Sequence, residues 1–513
     1  MPPNAPHRML THMFASPTET DIAPSGTLLG LLQRGRGDGW LHALAAPKAE
    51  AVAALERCVL HDPRPDWQLE HRSLYYARLY LELDAGLDAI AAHLFHPDDL
   101  PGDLAAGLPG ENDLPGDNGL ASVACGEEER TGLALSVLGH LVSYGSRPAL
   151  RLLRAYALRG ANWRWALDEL AVRDTDAGLR ALGPGILGRF PRTEDGEAAL
   201  TAAARDSFEP RPWRIWAEDP ARPEQRRRLA TALERGDFDR WQRQLRTTGP
   251  RPGWSVASVL AWARDGYEQT PRQWREAPAA RCLAAVAGPQ DRPELLAAAA
   301  GGHPAARAAA LRHLAERGDP RALGLIDAAS AAPDPDVRRA ALAAFARMTG
   351  PQALDQARRW AVRGDELGTA AAALLARRGS ATDAPRVLAA LQRAVRTGGS
   401  DSRELRPLVE GVGRLCVTAA VPVLRHLYRR TPSSQLRCHA ARALAATDPA
   451  FPSGLAVECL WDCEEETRQL AAEFATTGDS RAVERMRRLA TDPAERADVQ
   501  TVLRGRLARR ATG

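Results

Sequence analysis

Lysine is almost absent from this chain of 513 residues. Lys48 is the only lysine, although lysine and arginine together number 68. Arginine therefore carries nearly all of the positive charge, a skew typical of a GC-rich genome. Positive charge is not in excess, because 64 acidic residues leave a formal net charge of +4. The overall charge gives no basis for non-specific attraction to nucleic acid or to a membrane, which only a local patch of arginines would provide.

Long apolar runs are also lacking. No stretch of about 18 apolar residues occurs, so the sequence predicts no membrane-spanning helix and no membrane partner. The first 25 residues lack the apolar core of a secretory signal and are rich in Pro, Ser and Thr, which predicts a disordered tail. The cysteines number seven and are mostly scattered, a usage typical of reduced thiols. We therefore expect a cytoplasmic protein.

The common catalytic motifs are missing as well. The sequence contains no Gly-rich phosphate loop, no Gly-x-Ser-x-Gly, no His-Glu-x-x-His and no paired Cys-x-x-Cys. We accordingly assign no catalytic residue and no cofactor, and we expect a protein that is not an enzyme.

A repeated unit is the strongest signal that the sequence does contain. A run of alanines and leucines recurs at a spacing of 31 residues, from Arg307 to Arg338. The same spacing separates Ala322 from Ala353, and Ala353 from Ala384. A unit of this length cannot bury its own apolar face, so it has to stack on its neighbours.

Within one unit, the residue types mark where helices begin and end. Asp334 is a predicted N-cap, and Pro335 suits the first helical turn, where its missing N–H costs nothing. Gly318 and Gly350 are predicted to end the first helix of their units. Apolar residues from Val337 onward lie at helical spacing. Each unit is therefore predicted to be a pair of antiparallel helices.

These units resemble HEAT repeats, in particular the short type found in phycobilisome-lyase-like proteins. The resemblance rests on the pattern Asp-Pro-x-Val-Arg, Ala-Ala-x-Ala-Leu and Gly-Asp-Pro-x-Ala-Leu, and it covers residues 275–490. It implies an all-α fold, an α-solenoid of stacked antiparallel helix pairs, which in this family usually serves as a binding scaffold.

The repeat pattern also predicts the organisation of the chain. Behind the tail (1–25), degenerate HEAT-like repeats are expected over 26–204 and regular ones over 278–513. The stretch 97–120 is too rich in Pro, Gly and Asp to be helical, and it is predicted to be an inserted loop.

Residues 205–277 depart from the repeat and are predicted to form an irregular helical segment. They hold six of the 12 tryptophans, and 15 arginines against 11 acidic residues. Arginine could meet phosphates while tryptophan stacks on bases or on the side chains of a partner. The alternative is that large aromatic side chains fill gaps in the core of irregular helix pairs.

The candidate partner-binding residues come mainly from this segment. Trp163 is added because it opens a helix with Trp165, and two tryptophans that lie two apart point to different faces. The candidates are Trp163, Trp213, Trp216, Arg226, Arg227, Arg228 and Trp241.

Two clusters contain residue types that bind metals, but neither has a complete ligand pattern. His93, His96, Asp98 and Asp99 lie close in sequence, and the simpler interpretation is that His96 ends a helix before Pro97. Cysteines at 459 and 463 follow a Cys-His pair at 438–439, and buried thiols that act as small apolar groups are the commoner case. We predict no metal site.

Pairs of arginines recur along the repeats, for example at 338–339, 358–359 and 377–378. Stacked repeats could align them as a basic stripe for nucleic acid. Arginine at the C-terminal end of a helix also complements the helix dipole, and we favour that interpretation because acidic residues are interspersed.

The function predicted from the sequence is a non-catalytic scaffold that binds a protein partner along the concave face of the array. The alternative is a nucleic-acid-binding solenoid, with an architectural resemblance to the HEAT-like DNA glycosylases that remove alkylated bases. A third hypothesis is an enzyme or enzyme subunit resembling the phycobilin lyases, which share the repeat type.

Overall fold

All of the regular structure that the chain adopts in its described residues is helical. The computed structural model describes residues 22–63, 72–96, 119–236, 250, 253–270, 272–402 and 404–512. No strand occurs in these ranges, so the all-α class predicted from the sequence is confirmed. None of the helices in these ranges is both long and apolar enough to cross a bilayer.

Two predicted elements fall largely outside these ranges. The predicted tail over 1–25 is described only from residue 22 onward. The predicted loop over 97–120 lies outside the described residues except for its last two, which belong to a helix.

The chain divides into two compact units. Unit 1 comprises Met1–Asp237, Pro432–Gln435 and Ser453–Gly513, so it combines an early and a late part of the chain. Unit 2 comprises Phe238–Thr431 and Leu436–Pro452.

The helices are numbered in chain order. The early part of unit 1 contains α1 (Leu28–Gln33), α2 (Gly37–Ala45), α3 (Lys48–Leu60), α4 (Arg72–Glu82), α5 (Asp88–Leu94), α6 (Gly119–Ser143), α7 (Arg147–Arg159), α8 (Trp163–Arg173), α9 (Asp176–Leu187), α10 (Glu194–Asp206), α11 (Arg211–Ala217) and α12 (Pro223–Gly236). Its late part contains α25 (Leu455–Glu458), α26 (Glu465–Phe474), α27 (Ser480–Thr491) and α28 (Ala497–Thr512).

The helices between these two parts follow the same numbering. They are α13 (Val256–Glu268), α14 (Glu276–Val286), α15 (Arg292–Ala300), α16 (Pro304–Glu316), α17 (Ala322–Ser330), α18 (Pro335–Arg347), α19 (Pro351–Trp360), α20 (Glu366–Arg378), α21 (Ala384–Gly398), α22 (Leu405–Arg414), α23 (Val421–Arg430) and α24 (Ser434–Thr447).

Helices in unit 2 pack in an alternating order. α14, α16, α18, α20 and α22 pack in succession, each against the next in that series, while α15, α17, α19 and α21 each pack against the helix that follows them. Small residues permit the close approach, because a Cβ atom added at Gly411 of α22 would overlap the Ala376 side chain of α20. The core of unit 2 is therefore built largely from alanine and leucine faces.

Local capping explains where two of these helices begin and end. The Asp334 carboxylate accepts hydrogen bonds from the backbone N–H groups of Asp336 (2.8 Å) and Val337 (3.3 Å), and Pro335 is the first residue of α18. Gly318 follows α16 with a φ of +69°, a left-handed conformation that favours glycine. The predicted roles of these residues are confirmed.

Gly350 differs from its predicted role. α18 already ends at Arg347, and Met348 is its C-cap. Gly350 instead has extended backbone and forms the N-cap of α19, immediately before Pro351. A proline at the first position of the next helix fixes where that helix begins.

Unit 1 joins residues that are far apart in the sequence. The Arg36 guanidinium lies 2.9 Å from the Glu458 carboxylate, and the Cys463 backbone N–H donates to the Gly35 carbonyl oxygen at 2.8 Å. Early and late helices therefore share one core, which no local repeat pattern predicts.

A buried group of charges lies in the same part of unit 1. Arg468 binds Glu495 through two hydrogen bonds of 2.8 Å, and these two side chains are 2% and 0% exposed. Arg78 of α4 lies 3.1 Å from Glu495 and 2.9 Å from Asp492. Although burial by itself would raise the pKa of Glu495, the two guanidinium groups lower it to about 2.

Candidate binding surface

Four aromatic side chains in unit 2 remain at least partly open to solvent. They are Trp254, Trp262, Tyr267 and Trp274, of which Trp274 is 38% exposed. Together with Arg272 and Arg275 we call them the aromatic–arginine surface.

The local sequence explains how α13 presents two of these rings, those of Trp262 and Tyr267. The Ser255 hydroxyl caps α13 by accepting a hydrogen bond from the Ser258 N–H at 3.3 Å. Val259, Leu260 and Ala263 are buried and hold the helix against the core. The remaining face carries the partly exposed side chains of α13.

The first half of the surface is a pair of tryptophans with an arginine. The rings of Trp254 and Trp262 lie 5.3 Å apart and are tilted by 51°. The Arg275 guanidinium lies 4.8 Å from the centre of the Trp262 ring and donates to the Trp262 carbonyl oxygen at 2.9 Å. Arg275 passes so close to Gly266 that a Cβ atom there would lie 2.5 Å from its Nε, so this path requires glycine.

The second half of the surface is centred on Tyr267. The Trp274 ring lies 5.7 Å from the Tyr267 ring, and the His303 ring lies edge-on to it at 5.1 Å. The Arg272 guanidinium covers the face of Tyr267 at 4.1 Å from the ring centre. This distance is well within the range of a cation–π interaction.

Carboxylates surround Tyr267 on the neighbouring helices. The Tyr267 hydroxyl donates to Asp336 at 3.3 Å, and Arg339 lies 3.1 Å from the same carboxylate. Burial raises the pKa of Tyr267, and the negative charge of Asp334 raises it further. The phenol therefore stays neutral and keeps its proton as a donor.

This arrangement can bind cationic or flat groups. Aromatic faces attract guanidinium and ammonium groups, and nearby carboxylates add a Coulomb attraction. Trp262 and Tyr267 lie on α13, and the other residues of the surface lie in the segments before and after this helix.

Two of the candidate tryptophans from the sequence are in the core of unit 1. Trp213 is 2% exposed and Trp216 is fully buried, and their rings meet edge to face at 5.2 Å. The Trp216 indole N–H donates to the Leu179 carbonyl oxygen at 2.6 Å. Since their rings are covered, these two residues fit the alternative stated for them, which is core packing.

Trp163 is largely buried as well. It is 9% exposed and lies edge-on to Phe190 at 5.9 Å. Trp165, on another face of α8, is less buried and donates through its indole N–H to the Ser136 hydroxyl at 3.0 Å. Trp241 lies outside the described residues.

The three candidate arginines on α12 differ in their surroundings. Arg226 and Arg227 are exposed. Arg228 instead pairs with Glu197 at 2.8 Å and donates to the Phe190 carbonyl oxygen at 2.7 Å. It therefore connects α12 to the turn before α10, while its two neighbours are available at the surface.

In the described residues, the fold does not complete a set of metal ligands around either His93 or Cys459. No group of three or more potential ligands is arranged to hold a metal ion within the described part of the chain. α5 ends at Leu94, two residues before His96, and Asp98 and Asp99 are not among the described residues. The six cysteines whose side chains are described form no disulfide.

The aromatic–arginine surface lies in the stretch 205–277, but none of its residues is among the candidates chosen from the sequence. Tyr267, Arg272 and Trp274 belong to the stretch 205–277, yet their grouping depends on His303 and Asp336 from later repeats. The sequence feature that could have pointed to this group is the combination of tryptophan, tyrosine and arginine near the carboxyl-terminal end of α13.

No protein-family model matches the chain, and no curated protein is significantly similar to it.

Proposed function

We propose that the chain is a HEAT-type helical array that catalyses no reaction and binds a protein partner, and that the aromatic–arginine surface contacts this partner. The observation that carries the proposal is the group of four partly exposed aromatic side chains on unit 2. Aromatic residues and arginine are enriched at the energetic centres of protein interfaces.

The packing within unit 2 supports the assignment to HEAT-type repeats. Alternate helices from α14 to α22 pack in succession, and each intervening helix packs against its neighbour. The side-chain N-caps recur with the repeat, at His303, Asp334 and Asp365. An array of this kind offers a long surface for a macromolecule.

The arginines of the repeats favour a protein over a nucleic acid as the partner. Arg338, Arg377 and Arg414 donate to backbone carbonyl oxygens of Ala332, Ala346 and Ala376 at 2.9, 2.7 and 2.8 Å. Arg377 and Arg414 thereby satisfy carbonyls in the last turns of α18 and α20, in keeping with the helix-dipole interpretation of the arginine pair at 377–378.

Site-specific photo-crosslinking tests the proposal. A photoreactive phenylalanine analogue replaces Trp274 in the full chain, and a matched chain carries it at Val362, which is 71% exposed on the same unit. After irradiation in a lysate of the source organism, with and without nuclease, we expect a discrete protein adduct at position 274 only. The same adducts at both positions, or an adduct that nuclease removes, would overturn the proposal.

A further inference from the structure

Arg272 covers the face of the Tyr267 ring, in the position that a bound cation would take. Its guanidinium lies 4.1 Å from the ring centre and 3.9 Å from the Asp336 carboxylate. The Arg272 side chain is nevertheless 62% exposed. It is therefore held at the surface by one ring face and by a loose ion pair.

The surroundings of this position suit a cation. Asp336 lies on one side of Tyr267, and the Asp334 carboxylate is close enough to raise the pKa of Tyr267. Glu268, the last residue of α13, lies 3.7 Å from His303, whose ring contacts Tyr267. An aromatic ring with carboxylates at its edge is the usual chemistry for recognition of arginine or lysine.

We propose that the surface formed by Tyr267, Trp274 and Asp336 recognises an arginine side chain of the protein partner, and that Arg272 lies on this position when the partner is absent. The inference rests on the proposed function, since it names the chemistry of the group that the partner presents. The partner's arginine displaces Arg272 from the ring and takes over its contact with the carboxylate.

The chain's own residue identifies the group as a guanidinium. A planar guanidinium stacks on an aromatic face and presents donors toward a carboxylate at the same time, which a compact ammonium does less well. A phosphate would instead meet the Asp336 and Asp334 carboxylates and be repelled by them.

Removal of Arg272 should open the position for an external arginine. A cation–π contact at an exposed site favours the state in which Arg272 covers the Tyr267 ring over the state in which the ring is uncovered by a factor of about two to five. We therefore expect the Arg272→Ala chain to bind an arginine peptide about two- to fivefold more tightly than the unchanged protein.

The test measures the fluorescence anisotropy of a labelled Gly-Arg-Gly-Arg-Gly peptide with the full chain. A second peptide carries citrulline in place of arginine, which keeps the shape and removes the charge. Arg339→Ala is the matched control, because Arg339 is 61% exposed and pairs with the same Asp336 carboxylate. A Tyr267→Leu substitution in the Arg272→Ala background removes the ring, and its thermal midpoint verifies that the chain folds.

The expected result is a gain in affinity with Arg272→Ala that is larger than that with Arg339→Ala and is lost when Tyr267 is also replaced. An equal gain in both single variants, or equal binding of the citrulline peptide, would overturn the inference. If Arg272→Ala gains nothing for the peptide and loses affinity for a single-stranded oligonucleotide, the surface binds phosphates and the inference is wrong.

The crosslink at position 274 distinguishes this inference from the proposed function. A protein adduct whose yield is unchanged by Arg272→Ala, together with no peptide gain, would contradict arginine recognition and leave the protein-binding proposal standing. A gain in affinity for the arginine peptide without any protein adduct would support arginine recognition by this surface and contradict the proposal that the chain binds a protein partner there.

Discussion

Gly266 determines the path of Arg275 across α13. The absence of a side chain at this position leaves room for the Arg275 guanidinium to reach the Trp262 ring and its carbonyl oxygen. A glycine inside a helix lowers the stability of that helix relative to alanine. Gly266 therefore permits the contact between Arg275 and Trp262 but makes α13 less stable.

We expect Gly266→Ala to displace Arg275 without destabilising unit 2. The added Cβ meets only a flexible side chain, and the gain in helix propensity is up to about 1 kcal/mol. The emission spectrum of Trp262, obtained by subtracting that of a Trp262→Phe chain, should change because its cation is gone. Gly324→Ala in α17 is the control, since no atom lies within 4 Å of its added Cβ. An unchanged Trp262 spectrum in the Gly266→Ala chain would contradict this account.

Among the elements, α18 links the repeat to the aromatic–arginine surface. Its N-cap is Asp334, and Asp336 in its first turn accepts the Tyr267 hydrogen bond. The same turn that begins the helix therefore also positions a carboxylate of the surface.

We predict that Asp334→Ala lowers the free energy of unfolding by about 1 kcal/mol, the usual cost of a lost N-cap. The substitution leaves the N–H groups of Asp336 and Val337 without their acceptor. Urea unfolding measures the change. Asp355→Ala provides the comparison, because Asp355 is 66% exposed and pairs with Arg358 on the surface of α19. Equal losses in the two variants would show that the cap contributes nothing of its own.

The helices and several of their caps could be predicted from local sequence signals. The contacts between residues far apart in the sequence could not. Asp334 and Gly318 act on backbone within a few residues, so their roles follow from residue type and spacing. The burial of Trp216 depends on Leu179, which is 37 residues away, and Tyr267 depends on Asp336, which is 69 residues away. A single sequence does not state which distant repeat will cover a given side chain, so the core position of Trp216 and the grouping around Tyr267 could not be predicted from it.

For the whole molecule, the main feature is that unit 1 contains both early and late parts of the chain. Glu495 is central to this connection, because it binds Arg468 of the late part and Arg78 of the early part. Its pKa is held near 2 by these guanidinium groups in spite of burial, which by itself would raise it.

The stability of unit 1 should therefore fall in acid. A carboxylate whose pKa is lowered on folding stabilises the fold above its ordinary pKa of 4.5, and this contribution is lost as the pH falls towards 2. We expect Glu495→Gln to lower the free energy of unfolding at pH 7 by about 3 kcal/mol and to flatten the decline between pH 4.5 and 2.

Urea unfolding at several pH values measures both effects. Glu473→Gln, at an exposed position of α26, is the control for loss of a negative charge. If the Glu495→Gln chain kept the pH dependence of the unchanged protein, Glu495 would not be the group that titrates.

The pairing of Arg78 with Glu495 also sets an order of events during synthesis. These residues are 417 positions apart, and at ~5–20 residues per second a ribosome needs ~20–80 s to make the chain between them. Throughout that interval the early helices of unit 1 are without the residues that complete their core, while the whole of Phe238–Thr431 emerges. For tens of seconds the nascent chain therefore leaves uncovered those parts of its early helices that the late residues bury in the finished protein.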